Sequence, residues 1–235
     1  MSNTIKVFVV GYGSGYASWI QDKILVEDIE EADVIVFTGG QDINPKIYGC
    51  QQHETTYFSQ SRDDFELSMY HQVRPDQICY GACRGAQLGA ALNGAILVQD
   101  VENHWCSGTH YITVFNDNST MEYFDEIGIK AEDYLQVPSL HHQMIYPYDL
   151  SEKDCTLMYV SKTNRSSYYH GDKIDERKIN ILREFGEPEV MIFHKKNEPV
   201  FFGVQGHPEM LRSDHPTNIE FNKILRALIK LKKND

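Results

Sequence analysis

No apolar run in this chain approaches the roughly 20 residues that would span a bilayer. The opening stretch, Met1-Ser2-Asn3-Thr4-Ile5-Lys6, passes straight into a strand-like run without the h-region of a secretory signal, so a cytoplasmic protein with no membrane partner is expected. Basic charge is also scarce: 22 Lys and Arg stand against 34 Asp and Glu, giving −12 at neutral pH. Such a chain repels phosphate backbones, which argues against nucleic acid as a partner. The one basic cluster, Lys230, Lys232 and Lys233, reads as a solvated helix terminus. Cysteine is present only as Cys50, Cys79, Cys83, Cys106 and Cys155, an odd number at scattered spacings. That excludes an ordinary disulfide framework and fits a reducing compartment. No internal repeat is found.

Two cofactor signatures are incomplete. Gly11-Tyr12-Gly13-Ser14-Gly15 follows a strand but has Tyr16 where a dinucleotide fingerprint requires its third glycine, so it reads as a flexible loop. His104-Trp105-Cys106-Ser107-Gly108-Thr109-His110 carries possible ligands but no second ligand pair at zinc spacing. Neither a metal nor any other cofactor is expected.

What is there is a set of short β-rich runs alternating with helical patterns over 235 residues, 41% of them hydrophobic and 24% charged. That suits one α/β domain with a full core. Residues 5–10, 34–38, 78–82, 96–99, 111–115, 156–161, 190–194 and 200–205 read as strands. Residues 62–73 read as a helix with Phe65, Met69 and Val73 on one face and Glu66 and Gln72 off it. A second helix follows over 85–92. A long last helix starts near Pro216, with Ile219, Ile224, Leu225, Leu228 and Leu231 as its apolar stripe. Continuous apolar strands alternating with helices predict a mostly parallel sheet flanked by helices on both faces. Residues 162–188 are polar and irregular and read as an insertion or flap within a single domain spanning 1–235. Ligands of such a sheet bind at the carboxyl ends of its strands, and Gly39-Gly40, Cys83 and His207 all lie just past strand ends.

Tyr80-Gly81-Ala82-Cys83-Arg84-Gly85-Ala86-Gln87 is an apolar strand ending in Gly-x-Cys-x-Gly, then a helix. The pattern is a nucleophile elbow with cysteine in place of serine. A helix N-terminus facing the sulfur favours thiolate. Taken alone, the motif is more often a small buried residue after a strand, as Cys79 is expected to be. Far downstream, Gly203-Val204-Gln205-Gly206-His207-Pro208-Glu209 delivers a histidine and, two residues on, a carboxylate able to orient it. A lone His-Pro-Glu is often a surface turn, but paired with the elbow it completes a thiol, a base and an orienting group.

These residues resemble the class I (triad) glutamine amidotransferase family, and within it the γ-glutamyl hydrolase branch that includes hydrolases of γ-glutamyl-γ-aminobutyrate. Six ordered blocks carry the resemblance: residues 38–45 with Tyr48-Gly49, Arg62-Asp63 with Glu66, residues 81–87, Gln99-Asp100, Ser139-Leu140-His141-His142-Gln143, and residues 203–209. The resemblance implies a flavodoxin-like sheet and a catalytic set of Cys83, His207 and Glu209. It implies an oxyanion hole from the backbone N–H groups of Gly40 and Arg84, and glutamyl binding by Gln87, His141, His142 and Gln143. The reaction implied is hydrolysis of a γ-glutamyl amide through a glutamyl thioester, releasing glutamate and an amine from a small molecule. The chain departs from the family pattern in a short segment before Gly39, in the loop 12–16 and in the insertion at 163–186, all where the leaving group would sit. A glutaminase subunit feeding ammonia to a separate synthetase is the main alternative. A catalytically silent binding scaffold is another, and a peptidase or chaperone of a sister fold would not require Gln87 or the His-His-Gln segment. Tyr168-Tyr169-His170 reads as a solvated loop whose aromatics fold onto the body.

Overall fold

A computed structural model describes residues 4–11 and 13–234, leaving Tyr12 of the glycine loop and the side chains of Cys106, Ser107 and Asn234 outside the description. In chain order the elements are β1 (Ile5–Val9), β2 (Lys23–Leu25), β3 (Val34–Phe37), α1 (Gln60–Tyr70), β4 (Ile78–Ala82), α2 (Arg84–Leu92), β5 (Ile96–Val98) and β6 (Asp100–Val101). They continue with β7 (Trp105–Val114), α3 (Asn118–Glu126), β8 (Tyr134–Leu140), β9 (Met144–Tyr146), β10 (Cys155–Ser161), β11 (Tyr169–His170), α4 (Glu176–Phe185), β12 (Pro188–Phe193), β13 (Val200–Val204) and α5 (Pro216–Asn234). Nine strands form one sheet in the order β2-β1-β3-β4-β13-β12-β10-β7-β8. The five that lead from β2 to β13 are parallel, and the sheet continues antiparallel from β12 outward. This is the expected α/β fold, a central sheet with helices on both faces.

Alternation along the strands sorts the core into two layers. Val34 and Val36 of β3, Ile78 and Tyr80 of β4, and Val200, Phe202 and Val204 of β13 pack with Phe221, Ile224, Leu225 and Leu228 of α5 and Phe124 of α3. Ile35, Phe37, Cys79 and Phe201 face the other way, against Leu88 and Ala90 of α2. Every residue of β3, β4 and β13 is buried, which is why these strands read as unbroken apolar runs. Trp19 closes the first layer edge-on to Tyr80 at 4.9 Å between ring centroids.

Two helices differ from the expected patterning. In α1 the residues fully withdrawn from water are Asp63 and Glu66, while Phe65 is 46% exposed, so its buried face is acidic. In α5 the inward stripe is Phe221, Ile224, Leu225 and Leu228, and Ile219 is 42% exposed. Within residues 162–188 the chain forms β11, which pairs with β6, and α4, capped by the Asp175 carboxylate accepting from the Lys178 N–H. Leu182 of α4 and Tyr169 of β11 bury against Val98, Val101, Met144 and Tyr146. Among the described residues no helix is long and apolar enough to cross a membrane, and Cys50, Cys79, Cys83 and Cys155 are free thiols.

Candidate active site

The carboxyl ends of β3, β4 and β13 meet at one edge of the sheet. Cys83 leaves β4 with φ 51° and ψ −112°, a strained conformation for a residue with a Cβ, and caps α2. Its N–H donates to the Val204 carbonyl at 2.8 Å, which ties the elbow to β13. The flanking glycines are required by the closeness of the turn. A Cβ on Gly81 would lie 2.4 Å from the Gly85 carbonyl carbon, and one on Gly85 only 2.1 Å from the Phe37 oxygen. Cys83 is thereby presented from a rigid corner with only 6% of its surface exposed.

His207 follows β13, and its backbone N–H donates to the Pro138 carbonyl at 3.0 Å. Its Nδ1–H donates to Oε1 of Glu209 at 2.7 Å, which leaves Nε2 without a hydrogen-bond partner. Burial opposes a charge on this ring, but the contacts with Cys83 and Glu209 outweigh it and raise the pKa from 6.5 to about 10. Proton affinity is thus concentrated on a base that already faces the thiol.

The loop after β3 is held by Arg62, whose Nη2 donates to the Thr38 carbonyl, the Thr38 hydroxyl and the Gly39 carbonyl at 3.3, 3.1 and 2.8 Å. Arg62 Nε in turn donates to Glu66. Beneath the elbow the buried Arg84 guanidinium forks to Glu66 and to Asp63, the latter at 2.5 Å. Burial raises the Asp63 pKa more than the Asn44 N–H and Arg84 lower it. The acidic face of α1 therefore exists to neutralise the first side chain of α2. The apolar periodicity of α1 did not disclose this; the signal available was an Arg directly after the elbow cysteine.

Gly40, Gln41, Asp42, Tyr57, Cys83, Gln87, Trp105, Leu140, His141, His142 and Gln143 line one cavity of about 270 Å³. It gathers Cys83, Gly40, Gln87 and the His-His-Gln segment in one place. Gln87 Nε2 donates to the Gln143 carbonyl at 3.1 Å, and Gln143 Nε2 donates to the Thr56 hydroxyl at 3.0 Å. His142 donates from Nε2 to Asp42 at 3.0 Å, with Asp100 4.0 Å from its other nitrogen. The bond to Asp42 raises the His142 pKa above 6.5. His141 is turned differently: its Nδ1–H donates to the Gln143 carbonyl at 2.8 Å, and burial drives its pKa well below 6.5. Tyr57 and Trp105, 72% and 71% exposed, stand at the mouth of the cavity.

Tyr16 has a place here that its sequence position did not suggest. Its ring centroid lies 6.2 Å from that of His207. Burial, Glu209 and Cys83 all raise its pKa. Tyr168 and His170 stack at 4.6 Å and line a second hollow of about 860 Å³ with Asp100, Glu54 and Asp172, whereas Tyr169 is buried with its hydroxyl on Glu187.

The chain is similar to several known proteins. Residues 17–153, which include Cys83 and the His-His-Gln segment, match the family described as Peptidase C26. The glutamine amidotransferase-like protein YvdE homolog of Lactococcus lactis subsp. cremoris is 33% identical over 127 residues, 48% of this chain and 63% of that protein. Protein NtpR of Enterococcus hirae is 24% identical over 199 residues, 81% of this chain and 72% of NtpR. Among solved structures, a glutamine amidotransferase from Thermotoga maritima superposes with a TM-score of 0.54 at 14% identity, over 98% of this chain and 99% of that one. PurLQS from Thermotoga maritima gives 0.54 at 12% identity, over 98% and 99%.

Proposed function

The chain belongs to the Peptidase C26 family, whose members with the glutamine amidotransferase-like relatives point to cysteine-dependent amide hydrolysis, and from that premise we propose that it hydrolyses a γ-glutamyl amide. Cys83 Sγ attacks the γ-carbonyl carbon, and the carbonyl π electrons move onto oxygen. The backbone N–H groups of Gly40 and Arg84 hold that oxyanion; losing one such donor typically costs about 10²–10³ in rate. The C–N bond then breaks as His207 passes its proton to the departing amine, leaving a glutamyl thioester. Water attacks the thioester with His207 as base, glutamate leaves, and the proton returns to the Cys83–His207 pair. Glu209 keeps the imidazole in the tautomer that presents Nε2 to sulfur. Gln87, His142 and Gln143, with His141 in the same wall, hold the amino and carboxylate ends of the glutamyl group.

The observation that carries this reading is a histidine fixed by Glu209 at 2.7 Å, with Nε2 unpartnered and its pKa raised by a cysteine on a strained elbow. A cavity of about 270 Å³ suits a small glutamyl group, and the exposed Tyr57 and Trp105 suit contact with a leaving group outside it. Exposed aromatics at the mouth also favour a second reading, a glutaminase that docks on a separate synthetase, and PurLQS shares the fold. Glutamate release from glutamine and from a panel of γ-glutamyl amines, by the wild type and Cys83→Ala, decides between them. Release from one γ-glutamyl amide that is lost in Cys83→Ala supports the stand-alone hydrolase. Silence on every γ-glutamyl amide refutes it, and glutamine turnover that appears only with a synthetase establishes the second reading.

A further inference from the structure

Behind the pocket wall, His104, His141, Glu187 and Glu189 are buried together, with His110 beside them. Their hydrogen bonds fix which atoms carry protons. Glu187 accepts from the backbone N–H groups of Arg165 and Ser166, from the Tyr169 hydroxyl, and from His104 Nε2–H at 3.1 Å. His104 is therefore protonated on Nε2, and its Nδ1 is a lone pair. Ser139 Oγ lies 3.3 Å from that Nδ1 but gives its proton to the His104 carbonyl at 2.8 Å. His141 is protonated on Nδ1, which donates to the Gln143 carbonyl, so its Nε2 is a second lone pair, buried and unpartnered. Glu189 takes His110 Nε2–H on Oε1 at 2.7 Å, and its Oε2 has no partner.

Two of these atoms, His141 Nε2 and Glu189 Oε2, have no partner, while His104 Nδ1 has Ser139 Oγ at 3.3 Å and Glu189 Oε1 at 3.9 Å. A nitrogen of His104, a nitrogen of His141 and a carboxylate oxygen of Glu189 all lie within 4.8 Å of one another. Buried lone pairs that face each other without a donor are costly to leave unsatisfied. A divalent cation satisfies all three at once. Two imidazoles and one carboxylate, with a fourth position open, are a donor set that suits zinc.

We propose that His104, His141 and Glu189 form a binding site for a divalent transition-metal ion, with Zn²⁺ the ion the donor set fits. Each ligand already has the outer support that metal ligands use: Glu187 on His104, the Gln143 carbonyl on His141, and His110 on Glu189. Zinc–nitrogen bonds of about 2.0–2.1 Å place tetrahedral donors roughly 3.3 Å apart, so loading draws these atoms together by at most about 1.5 Å. The ion ties the start of β7, the turn after β8 and β12 into one unit behind the pocket. The site shares His141 with the pocket wall, but no step of the proposed reaction passes through the ion.

The test uses the full chain carrying Cys83→Ala, so that the thiol cannot supply a ligand. After chelator stripping and loading with Zn²⁺, gel filtration and elemental analysis give the retained metal. About one equivalent is expected, with a raised Tm, and Co²⁺ in its place gives d–d absorption without a thiolate charge-transfer band. Adding Glu187→Gln is expected to weaken retention about 10–100-fold, and adding Glu189→Gln at least as much. Absence of retained metal in Cys83→Ala overturns the proposal, as does equal retention with and without Glu189→Gln. The first outcome is read without any variant of the cluster, so a misfolded variant does not shield the proposal.

Discussion

Gly85→Ala is the most direct probe of how the elbow is built. An added Cβ lies 2.1 Å from the Phe37 carbonyl oxygen, 2.6 Å from its carbonyl carbon and 3.1 Å from its Cβ. A carbon–oxygen contact relaxes at about 3.3 Å, so α2 and β3 must part by about 1.2 Å. Neither side yields easily, because Phe37 belongs to a fully buried strand paired with β4. Overpacking of this kind costs about 1–3 kcal/mol, and the better helix propensity of alanine returns about 1 kcal/mol. A backbone clash belongs at the upper end, giving about 2 kcal/mol of net destabilisation and a Tm lowered by roughly 4–8 °C at this chain length. The same displacement moves Cys83 against Gly40, and a misplacement of about 1 Å costs on the order of 10² in rate. Thermal unfolding by circular dichroism and glutamate release from the preferred γ-glutamyl amide measure the two effects. Gly15→Ala is the control, because its Cβ meets nothing within 4 Å. Unchanged Tm and unchanged turnover in Gly85→Ala would refute the claim that close packing of α2 on β3 sets the nucleophile.

Other predictions follow from the charges around the site. Glu209→Gln removes one of the two contacts that raise His207 to about 10, so the alkaline limb of kcat/KM moves to lower pH and the rate falls about 10²–10⁴-fold; a limb that stays in place would contradict the role given to Glu209. The raised His207 pKa also stabilises the fold, fully below pH 6.5 and with decreasing effect as pH rises through about 10, which urea unfolding across pH can follow. Arg84→Met strands Asp63 and Glu66 in the interior and should cost about 3–5 kcal/mol at neutral pH, less in acid, where Asp63 is already biased toward protonation by burial. Asp42→Asn should return the His142 pKa toward 6.5, read by NMR titration of the ring; in the parent, stability from this pair is complete below pH 6.5 and lost as pH rises through the raised value.

The strands that carry the site were legible because burial on both faces makes each an unbroken apolar run, as in 34–37, 78–82 and 200–204. The elbow was legible because its glycines are a local steric demand that only a few residue patterns meet. Helix α4 was missed although Ile179, Ile181, Leu182 and Phe185 recur within it, because the polar stretch around it hid the pattern and the surface it packs on comes from β5 and β9, in distant parts of the chain. The acidic inner face of α1 was hidden for the same reason: Asp63 and Glu66 are buried only because Arg84 lies opposite.

The sequence by itself determined the parallel α/β frame, the cysteine at a strand end, the histidine with a carboxylate two residues on, and their order along the chain. It did so because periodicity and turn chemistry are local properties. Only the tertiary structure decided that Tyr16 stands beside His207, that Arg84 is neutralised from α1, and that His104, His141 and Glu189 bring ligand atoms within 4.8 Å of one another. These outcomes depend on contacts between residues far apart in the chain, and such contacts exist only once strand order and register are set.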